Sequence, residues 1–166
     1  MSYIASNNGQ TIYWRDASYQ LQSGEVDMGA EYPIASQIQA SFPNYELSQA
    51  QATQIVVIRQ AALVAETAPI SFTTELGVAE SYSMSSAAWT RYVAAYTRYV
   101  VHAQPLPTNF SFYSADGKAV PFSVLDIENL AAIGYAQVEA ALAKESSLVA
   151  AITAATTVAE VNAVVW

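Results

Sequence analysis

The clearest periodic pattern in the chain lies in its last third, where apolar residues recur every three or four positions. Such spacing is typical of the buried face of an α-helix. The residues that show this helical spacing are Ile127, Leu130, Gly134, Val138, Leu142, Val149 and Ile152. Ser123 and Asp126 form an S-x-x-D start, with the acid near the positive end of the helix dipole. The pattern predicts one long helix over about residues 124–152 and gives Asp126 a structural role.

Three further helices are predicted from capping residues and helical spacing. One starts with the S-x-x-Q box at Ser48 and ends at Pro69, a second covers about residues 86–103, and a short third starts at the Thr157 capping box. The apolar positions expected in the first of them are Ile55, Ile58, Ala62 and Leu63.

The helix over residues 86–103 carries an aromatic stripe. Spacings of three and four place its members on one face, and Arg91 and Arg98 on another. The stripe consists of Trp89, Tyr92, Tyr96 and Tyr99, followed by Ala103. Packing into the chain's own core is one interpretation, and contact with a partner protein is the other.

Period-two patterns on either side of glycine turns predict three hairpins. The first spans residues 3–14 and turns at Asn8-Gly9. The second lies around Leu76-Gly77, and the third has Asp116-Gly117 between the aromatic residues 110–112 and residues 119–122. We interpret Asp116-Gly117 as a type I′ turn and not as a catalytic site.

Residues 15–46 show no steady period and contain two glycines and two prolines among polar and aromatic residues. So long an irregular stretch is uncommon inside a compact domain, which favours an arm that becomes ordered on a partner. An irregular loop packed on its own domain is the alternative. We therefore predict an α+β protein with an N-terminal hairpin and extended attachment arm (1–46) and a compact α+β domain (47–166), in which long helices pack with short hairpins.

Composition narrows the range of partners. Hydrophobic residues make up 53% of the chain and charged residues only 12%, about half the usual share, which indicates a surface partly covered by a partner. The net charge is −8, and the six basic residues are scattered, so nucleic acid and anionic membranes are not expected partners. No apolar run is long enough to span a membrane, and the first residues do not resemble a signal peptide.

The search for catalytic chemistry yields no specific signal. There is no cysteine, and the single histidine, His102, lies near a predicted helix end, where a structural role suffices. A glycosidase would need two carboxylates that flank a sugar; Glu75 and Glu80 across the second hairpin are one such pair, interpreted here as solvated charges. We expect no enzymatic activity, no catalytic residue, no cofactor and no metal site.

Aromatic residues are the strongest candidates for protein contact, because tyrosine and tryptophan dominate many interfaces. We predict partner-binding roles for a set drawn from the arm, the stripe and the last position. This set is Tyr32, Phe42, Tyr45, Trp89, Tyr92, Tyr96, Tyr99 and Trp166.

Three stretches, in order, resemble a domain family of unassigned function found in bacteriophage and prophage tail-fibre and tail-fibre-assembly proteins. The first is "IVVIRQAAL" followed by "ISFTTELG", the second is "NFSFYSADGKAVPFSVLDIENL", and the third is "SSLVAAITAATTVAEVNAVVW". The resemblance covers about residues 52–166 and departs from the family in its aromatic middle helix. It carries no active-site residues to this chain.

The resemblance implies a non-enzymatic structural component of a phage tail, attached to or part of the tail fibre. Its partners would be tail-fibre or other tail proteins, and it would form a homo-oligomer, such as a trimer, or bind a trimeric partner. It would be located in the virion and, during assembly, in the host cytoplasm. The alternatives are a fibre-assembly chaperone not retained in the virion, a receptor- or glycan-binding module that uses Trp89, and a polysaccharide depolymerase.

Overall fold

The computed structural model describes residues 1–6, 9–15, 20–42 and 44–166. Helix accounts for 51% of it and strand for 18%, in short antiparallel hairpins and long helices, which confirms the predicted α+β class. The strands are β1 (Ser2–Ser6), β2 (Thr11–Arg15), β3 (Val26–Gly29), β4 (Ile70–Thr73), β5 (Ala79–Tyr82), β6 (Ser111–Tyr113) and β7 (Ala119–Pro121). The helices are α1 (Ala35–Ser41), α2 (Tyr45–Glu66), α3 (Ser86–Ala95), α4 (Val124–Ala154) and α5 (Val158–Ala163), and a π-helical segment covers Tyr96–Val101.

The chain divides into two compact units, and the division differs from the predicted boundary at residues 46/47. The terminal unit consists of Met1–Ile58 and Ser147–Trp166, and the central unit consists of Arg59–Ser146. The physical reason is that the two chain ends share hydrophobic contacts, so the C-terminal segment belongs with the N-terminal one.

The terminal unit contains a three-stranded antiparallel sheet of order β2-β1-β3. The predicted first hairpin is present, with Ser6 paired to Thr11 and a positive φ of 81° at Gly9, while Asn8 lies outside the described residues. The described residues 20–42 do not form the extended arm that the sequence predicted for residues 15–46. They contribute β3, which pairs with β1, and α1, whose Ile38 is buried in a cluster with Ala5 and Phe42.

A second cluster of the terminal unit joins residues distant in sequence. Ile58, Ile152 and Val161 are almost fully buried together. The amide of Gln51 donates to the Ile152 carbonyl at 3.1 Å, and Gln54 donates to the Val164 carbonyl at 2.6 Å. The bond to Val164 satisfies a carbonyl beyond the last helix, and the bond to Ile152 adds a second donor to a carbonyl that also accepts from the Ala155 N–H at 3.3 Å.

The capping box predicted for the last helix is confirmed. The Thr157 hydroxyl accepts from the Glu160 N–H at 3.2 Å, and the Glu160 carboxylate accepts from the Thr157 N–H at 3.1 Å. This reciprocal pair fixes the start of α5 and so places Val161 in the buried cluster.

The central unit contains two hairpins, β4–β5 and β6–β7, with the same loop design. In each, three residues close the loop, the last of them a glycine with positive φ (76° at Gly77, 85° at Gly117). The Gly117 N–H donates to the Ser114 carbonyl at 3.0 Å, and the Ser114 N–H donates to the Lys118 carbonyl at 2.9 Å. This is a β-turn followed by a left-handed glycine, so the predicted type I′ turn is wrong in type although the hairpin is present.

The two hairpins also match each other in sequence at a constant offset of 40 residues. The offset brings identical or similar residues into the same structural positions of both hairpins. The matching pairs are Ser71 with Ser111, Phe72 with Phe112, Thr74 with Ser114, Gly77 with Gly117, Ala79 with Ala119 and Tyr82 with Phe122. Both hairpins are followed by a helix, α3 after the first and α4 after the second.

Asp126 connects the β4–β5 hairpin to the start of α4. Its carboxylate accepts from the Ser123 N–H at 2.9 Å and from the Glu75 N–H at 2.8 Å, and only 2% of the residue is exposed. The Ser123 hydroxyl in turn accepts from the Asp126 N–H at 3.0 Å. The predicted helix start is therefore present, and the two N–H donors satisfy a charge that burial would otherwise destabilise.

The observed α4 agrees with the predicted long helix, but two residues predicted to face a core are exposed. Leu142 in α4 is 50% exposed and Leu63 in α2 is 52% exposed. Ala141 is buried in place of Leu142, while Ala62, which was also predicted to face the core, is buried as expected. Successive helical residues point about 100° apart, so an error of one position in the predicted stripe moves a side chain from core to surface.

Tyr82 lies at the centre of the central unit. Its ring packs edge-on against Phe72 and Phe122, with centroids 6.2 and 5.4 Å away. Its hydroxyl is buried and has no hydrogen-bond partner within the described residues. Burial, with a smaller contribution from Glu80, raises the pKa of Tyr82 from 10.0 to about 12.

Replacing Tyr82 with Phe should therefore leave the free energy of unfolding at neutral pH unchanged or raise it by about 1 kcal/mol, since a buried unsatisfied hydroxyl is unfavourable. Because the pKa of Tyr82 is raised from 10.0 to about 12 in the folded state, its titration does not affect stability below pH 10, and the wild-type protein loses stability as the pH rises from 10 to about 12. Urea denaturation at pH 8 and at pH 11.5 checks both points.

The Tyr82→Phe variant should show a smaller loss of stability at pH 11.5 than the wild type. Tyr113→Phe is the matched control, because that residue is 66% exposed and should change neither value. Equal alkaline losses in the wild type and in Tyr82→Phe would contradict the assignment.

Candidate binding groove

A groove of about 670 Å³ lies in the central unit between β6 and the helical stretch formed by α3 and the π-helical segment. Ser85 starts α3, because its hydroxyl accepts from the Ala88 N–H at 3.4 Å. The walls are formed by small, aromatic and cationic side chains from both elements. They are Ser83, Ser85, Ala87, Ala88, Arg91, Tyr92, Ala94, Ala95, Arg98, Tyr99 and the run Phe110–Ala115.

The helical wall is built from a seven-residue repeat that our sequence reasoning did not use. Residues 87–93 read AAWTRYV and residues 94–100 read AAYTRYV. Seven residues are close to two turns of an α-helix, so equivalent residues fall on one face. The repeat therefore supplies the groove with two copies of the same alanine pair and the same arginine.

The repeat does not continue as a regular α-helix, although a helix was predicted to residue 103. The α-helix ends at Ala95, and a π-helical segment follows through Val101. Ala103 then has a φ of 48°, which ends the helix. A π-segment rotates the residues beyond it relative to an α-helix, and such segments are frequent at functional sites. Arg98 and Tyr99 lie within this segment.

The predicted aromatic stripe lies mainly in the core of the central unit. Tyr92 is 4% exposed, with its ring centroid 4.8 Å from that of Phe112, so the prediction that its ring presents a partner-binding surface is corrected. Trp89, Tyr96 and Tyr99 are half-buried and pack against the same core cluster. Tyr99 meets Phe110 at a centroid distance of 5.2 Å. Partner binding by the half-buried members stays a prediction.

The contact between Trp89 and Gly134 is the tightest in this region. A Cβ built on Gly134 would lie 2.7 Å from Cη2 of Trp89 and 3.1 Å from Cε of Met84. The indole also meets the Tyr135 ring edge-on, at a centroid distance of 4.9 Å. The sequence analysis treated Gly134 only as one apolar position of α4. A glycine in the middle of a helix often allows another group to approach the helix backbone closely, and this was the signal available in the sequence.

Arg91 and Arg98 were predicted to point away from the stripe, yet they line the same groove as Tyr92 and Tyr99. Neither arginine forms an ion pair with any residue that the structure describes, whereas Arg59 pairs with Glu145 and Lys118 with Glu80. The Arg98 guanidinium lies over the Tyr99 ring, 5.5 Å from its centroid. The groove thus carries positive charge in a chain of net charge −8.

Burial raises the pKa of the Tyr92 hydroxyl, and the neighbouring Arg91 partly offsets this. Tyr92 therefore keeps its proton at neutral pH, so its hydroxyl is able to donate a hydrogen bond.

The opposite wall of the groove is an open strand edge. In β6–β7, residues 110, 112 and 114 face their partners as hydrogen-bonded pairs, since Phe122 donates to Phe110 and Ser114 donates to Lys118. Hydrogen-bonded and non-hydrogen-bonded residue pairs alternate along an antiparallel ladder. Ser111 and Tyr113 therefore belong to non-hydrogen-bonded pairs, and their N–H and C=O groups point away from β7. Further along, the Ala115 N–H donates to the Ser81 carbonyl at 2.7 Å, so β5 closes that end of the edge.

The remaining predicted partner-binding residues lie in the terminal unit. Phe42 is 6% exposed and belongs to a buried cluster, which contradicts its prediction as an anchor on a partner; Tyr45 packs against that cluster. Tyr32 is 63% exposed and meets the Tyr3 ring edge-on at 5.2 Å. Trp166 packs against the cluster of Ile58.

Glu75 and Glu80, offered as a carboxylate pair, have different partners. Glu80 pairs with Lys118, and Glu75 accepts from the Ser123 hydroxyl. No group of three or more potential metal ligands occurs in the described ranges. None of the helices described is both long enough and apolar enough to cross a membrane.

Comparison with protein-family models, curated proteins and solved structures found no match to this chain. The resemblance to the tail-fibre family therefore gains no support from these comparisons.

Replacing Gly134 with Ala should lower the free energy of unfolding by about 1–3 kcal/mol, because the added methyl group overpacks the contact with Trp89. Helix propensity alone would have the opposite effect, about 1 kcal/mol in favour of Ala. In a Trp89→Ala background the same change should be neutral or stabilising. Urea denaturation of the four proteins in this double-mutant cycle gives the coupling free energy between positions 89 and 134.

Ala136→Gly in the wild-type background is the control for helix propensity, because Ala136 is exposed on the same helix. If Gly134→Ala changes the free energy of unfolding equally in the wild-type and the Trp89→Ala backgrounds, the packing of the indole does not depend on the absence of a side chain at position 134.

Proposed function

We propose that this chain is a non-enzymatic structural component of a bacteriophage tail, attached to or part of the tail fibre, that works through contacts with other proteins. The tail assignment comes from the sequence resemblance of residues 52–166. The contact role is supported by a different observation, an aliphatic stripe on the exposed side of α2.

The stripe consists of two pairs of residues seven positions apart. Val56 and Leu63 are 65% and 52% exposed, and Val57 and Val64 are 51% and 62% exposed. A spacing of seven places both pairs on one side of the helix, as in the seam of a coiled coil. Burying an aliphatic side chain of this size contributes about 1.5–3 kcal/mol, so four exposed ones on one helix favour association.

The low content of charge agrees with this role, since charged residues make up only 12% of the chain. Fewer charges reduce the desolvation penalty when surfaces meet. The partner is a second copy of this chain, in a homo-oligomer such as a trimer, or a trimeric tail protein. The chain would occupy the virion and pass through the host cytoplasm during assembly.

The composition of gradient-purified phage particles, measured by quantitative mass spectrometry, tests the tail assignment. A copy number that matches the fibres would support a structural component. Absence from particles together with co-purification with the fibre protein would support the alternative of an assembly chaperone. Absence from both would overturn the tail assignment.

The double substitution Val56→Glu with Leu63→Glu should lower the mass measured by light scattering to that of a monomer, because carboxylates in a coiled-coil seam oppose association. Circular dichroism should show an unchanged helix content. Leu76→Glu is the matched control, since Leu76 is 72% exposed in the β4–β5 loop and outside the stripe.

A wild-type protein that is already monomeric, and that does not bind the fibre protein through this stripe, would overturn the contact role assigned to α2.

A further inference from the structure

We propose that the groove beside β6 binds an extended, carboxylate-bearing segment of a partner protein, which adds to β6 as a strand and places its acids against Arg91 and Arg98. The inference rests on the proposed role in protein contact and not on the assignment to a phage tail. Three features of the groove support it, namely the open strand edge, the two arginines and the small residues between them.

The open edge supplies directional recognition of a backbone. Ser111 and Tyr113 turn their N–H and C=O groups away from β7, and no backbone hydrogen bond to these groups is made by any described residue. An unpaired edge of this kind is a template for an added strand, in which main-chain hydrogen bonds supply affinity. The bond from Ala115 to Ser81 closes one end, so an incoming strand pairs at Ser111 and Tyr113.

The arginines select the charge of the segment. Arg91 and Arg98 line the wall that faces β6, and both lack an ion-pair partner among the described residues. Seven positions separate them, which at the α-helical rise of about 1.5 Å per residue corresponds to at most roughly 10 Å along the helical stretch, since the π-helical turn around Arg98 is more compressed. In an extended strand, side chains on one face repeat every 6.8 Å or so. Acids at every second position would reach both guanidinium groups, because the long, flexible arginine and glutamate side chains span the difference between the two spacings.

Small residues leave room for the segment. The groove-lining side of α3 contains two alanine pairs, Ala87 with Ala88 and Ala94 with Ala95, placed one repeat apart. Because alanine side chains are short, they leave space between α3 and β6. Phe110 and Phe112 provide apolar surface on the strand side of the groove. A volume of about 670 Å³ accommodates a few residues of extended chain and not a helix.

The test uses the full-length chain and a fluorescein-labelled peptide that alternates four glutamates with four valines, followed by fluorescence anisotropy. We expect saturable binding that weakens as salt is raised, because the contacts are partly ionic. A peptide with glutamine in place of glutamate should bind at least tenfold more weakly. No binding of the glutamate peptide at millimolar concentration would overturn the proposal.

Two variants separate the contribution of the arginines from that of the backbone hydrogen bonds at the open edge, and each variant has a matched control. The double substitution Arg91→Gln with Arg98→Gln should raise Kd at least tenfold, whereas Arg59→Gln, which removes a positive charge outside the groove, should leave Kd unchanged. Ser111→Pro removes a donor from the open edge and should also raise Kd tenfold. Ser71→Pro makes the same change at the equivalent position of the β4–β5 hairpin and should not.

The controls also identify the outcomes that contradict the proposal. Equal affinities of the wild type and the double arginine variant would mean that the peptide binds elsewhere. Binding that depends on the arginines but not on Ser111, together with competition by free glutarate, would indicate a site for small carboxylic acids and would overturn strand addition. Circular dichroism of Ser111→Pro and Ser71→Pro shows whether each variant is folded, and the arginine variants test the groove without altering the backbone. None of these results bears on particle composition, which tests the tail assignment separately.

Discussion

The arrangement of the central unit depends on one close contact, the indole of Trp89 against the bare backbone of Gly134 in α4. A methyl group at that position would overlap the ring, so the Trp89 indole reaches the α4 backbone only because that helix lacks a side chain there. Trp89 and Arg91 point in directions about 160° apart on α3, since successive residues turn by 100°. The contact that fixes one side of α3 therefore leaves its other side to face β6, where the groove forms.

The same contact explains why an aromatic stripe need not be an interface. Tyrosine and tryptophan at helical spacing fit a surface that is half apolar and half polar, and that description also fits a helix laid over a small core. In this chain Tyr92 is buried and Trp89, Tyr96 and Tyr99 pack against the core cluster, while four aliphatic residues on one side of α2 are exposed. Residue type alone therefore does not predict which side chains of this chain are exposed.

Local signals in the sequence were sufficient for most of the secondary structure. Capping residues predicted the start of α4 at Ser123 and of α5 at Thr157, and glycine turns predicted the hairpins, because these features depend on neighbours only a few residues away. The order within residues 20–42 was not predictable in this way. It arises from the pairing of β3 with β1 and from the packing of Phe42, and both are contacts between separate segments.

The groove was predictable only in part. The seven-residue repeat that contains Arg91 and Arg98 is visible in the sequence. That both arginines line one groove with Tyr92 could not be predicted, because the groove also depends on the position of β6. The π-helical segment leaves no clear signal in residues 96–101, since it differs from an α-helix by a single residue in hydrogen-bond spacing.

The division of the terminal unit between both ends of the chain has a consequence for the order of folding. The bond from Gln51 to Ile152 joins residues 101 positions apart, whereas each hairpin of the central unit closes over a few residues. Closing a long loop carries a larger entropic penalty than closing a short one, and proteins rich in local contacts fold faster. During synthesis the central unit is able to form from its own contacts, while the cluster around Ile58 has to wait for Val161 to leave the ribosome. Truncation of the chain before Val161 would thus remove this late step of folding and leave the earlier steps intact.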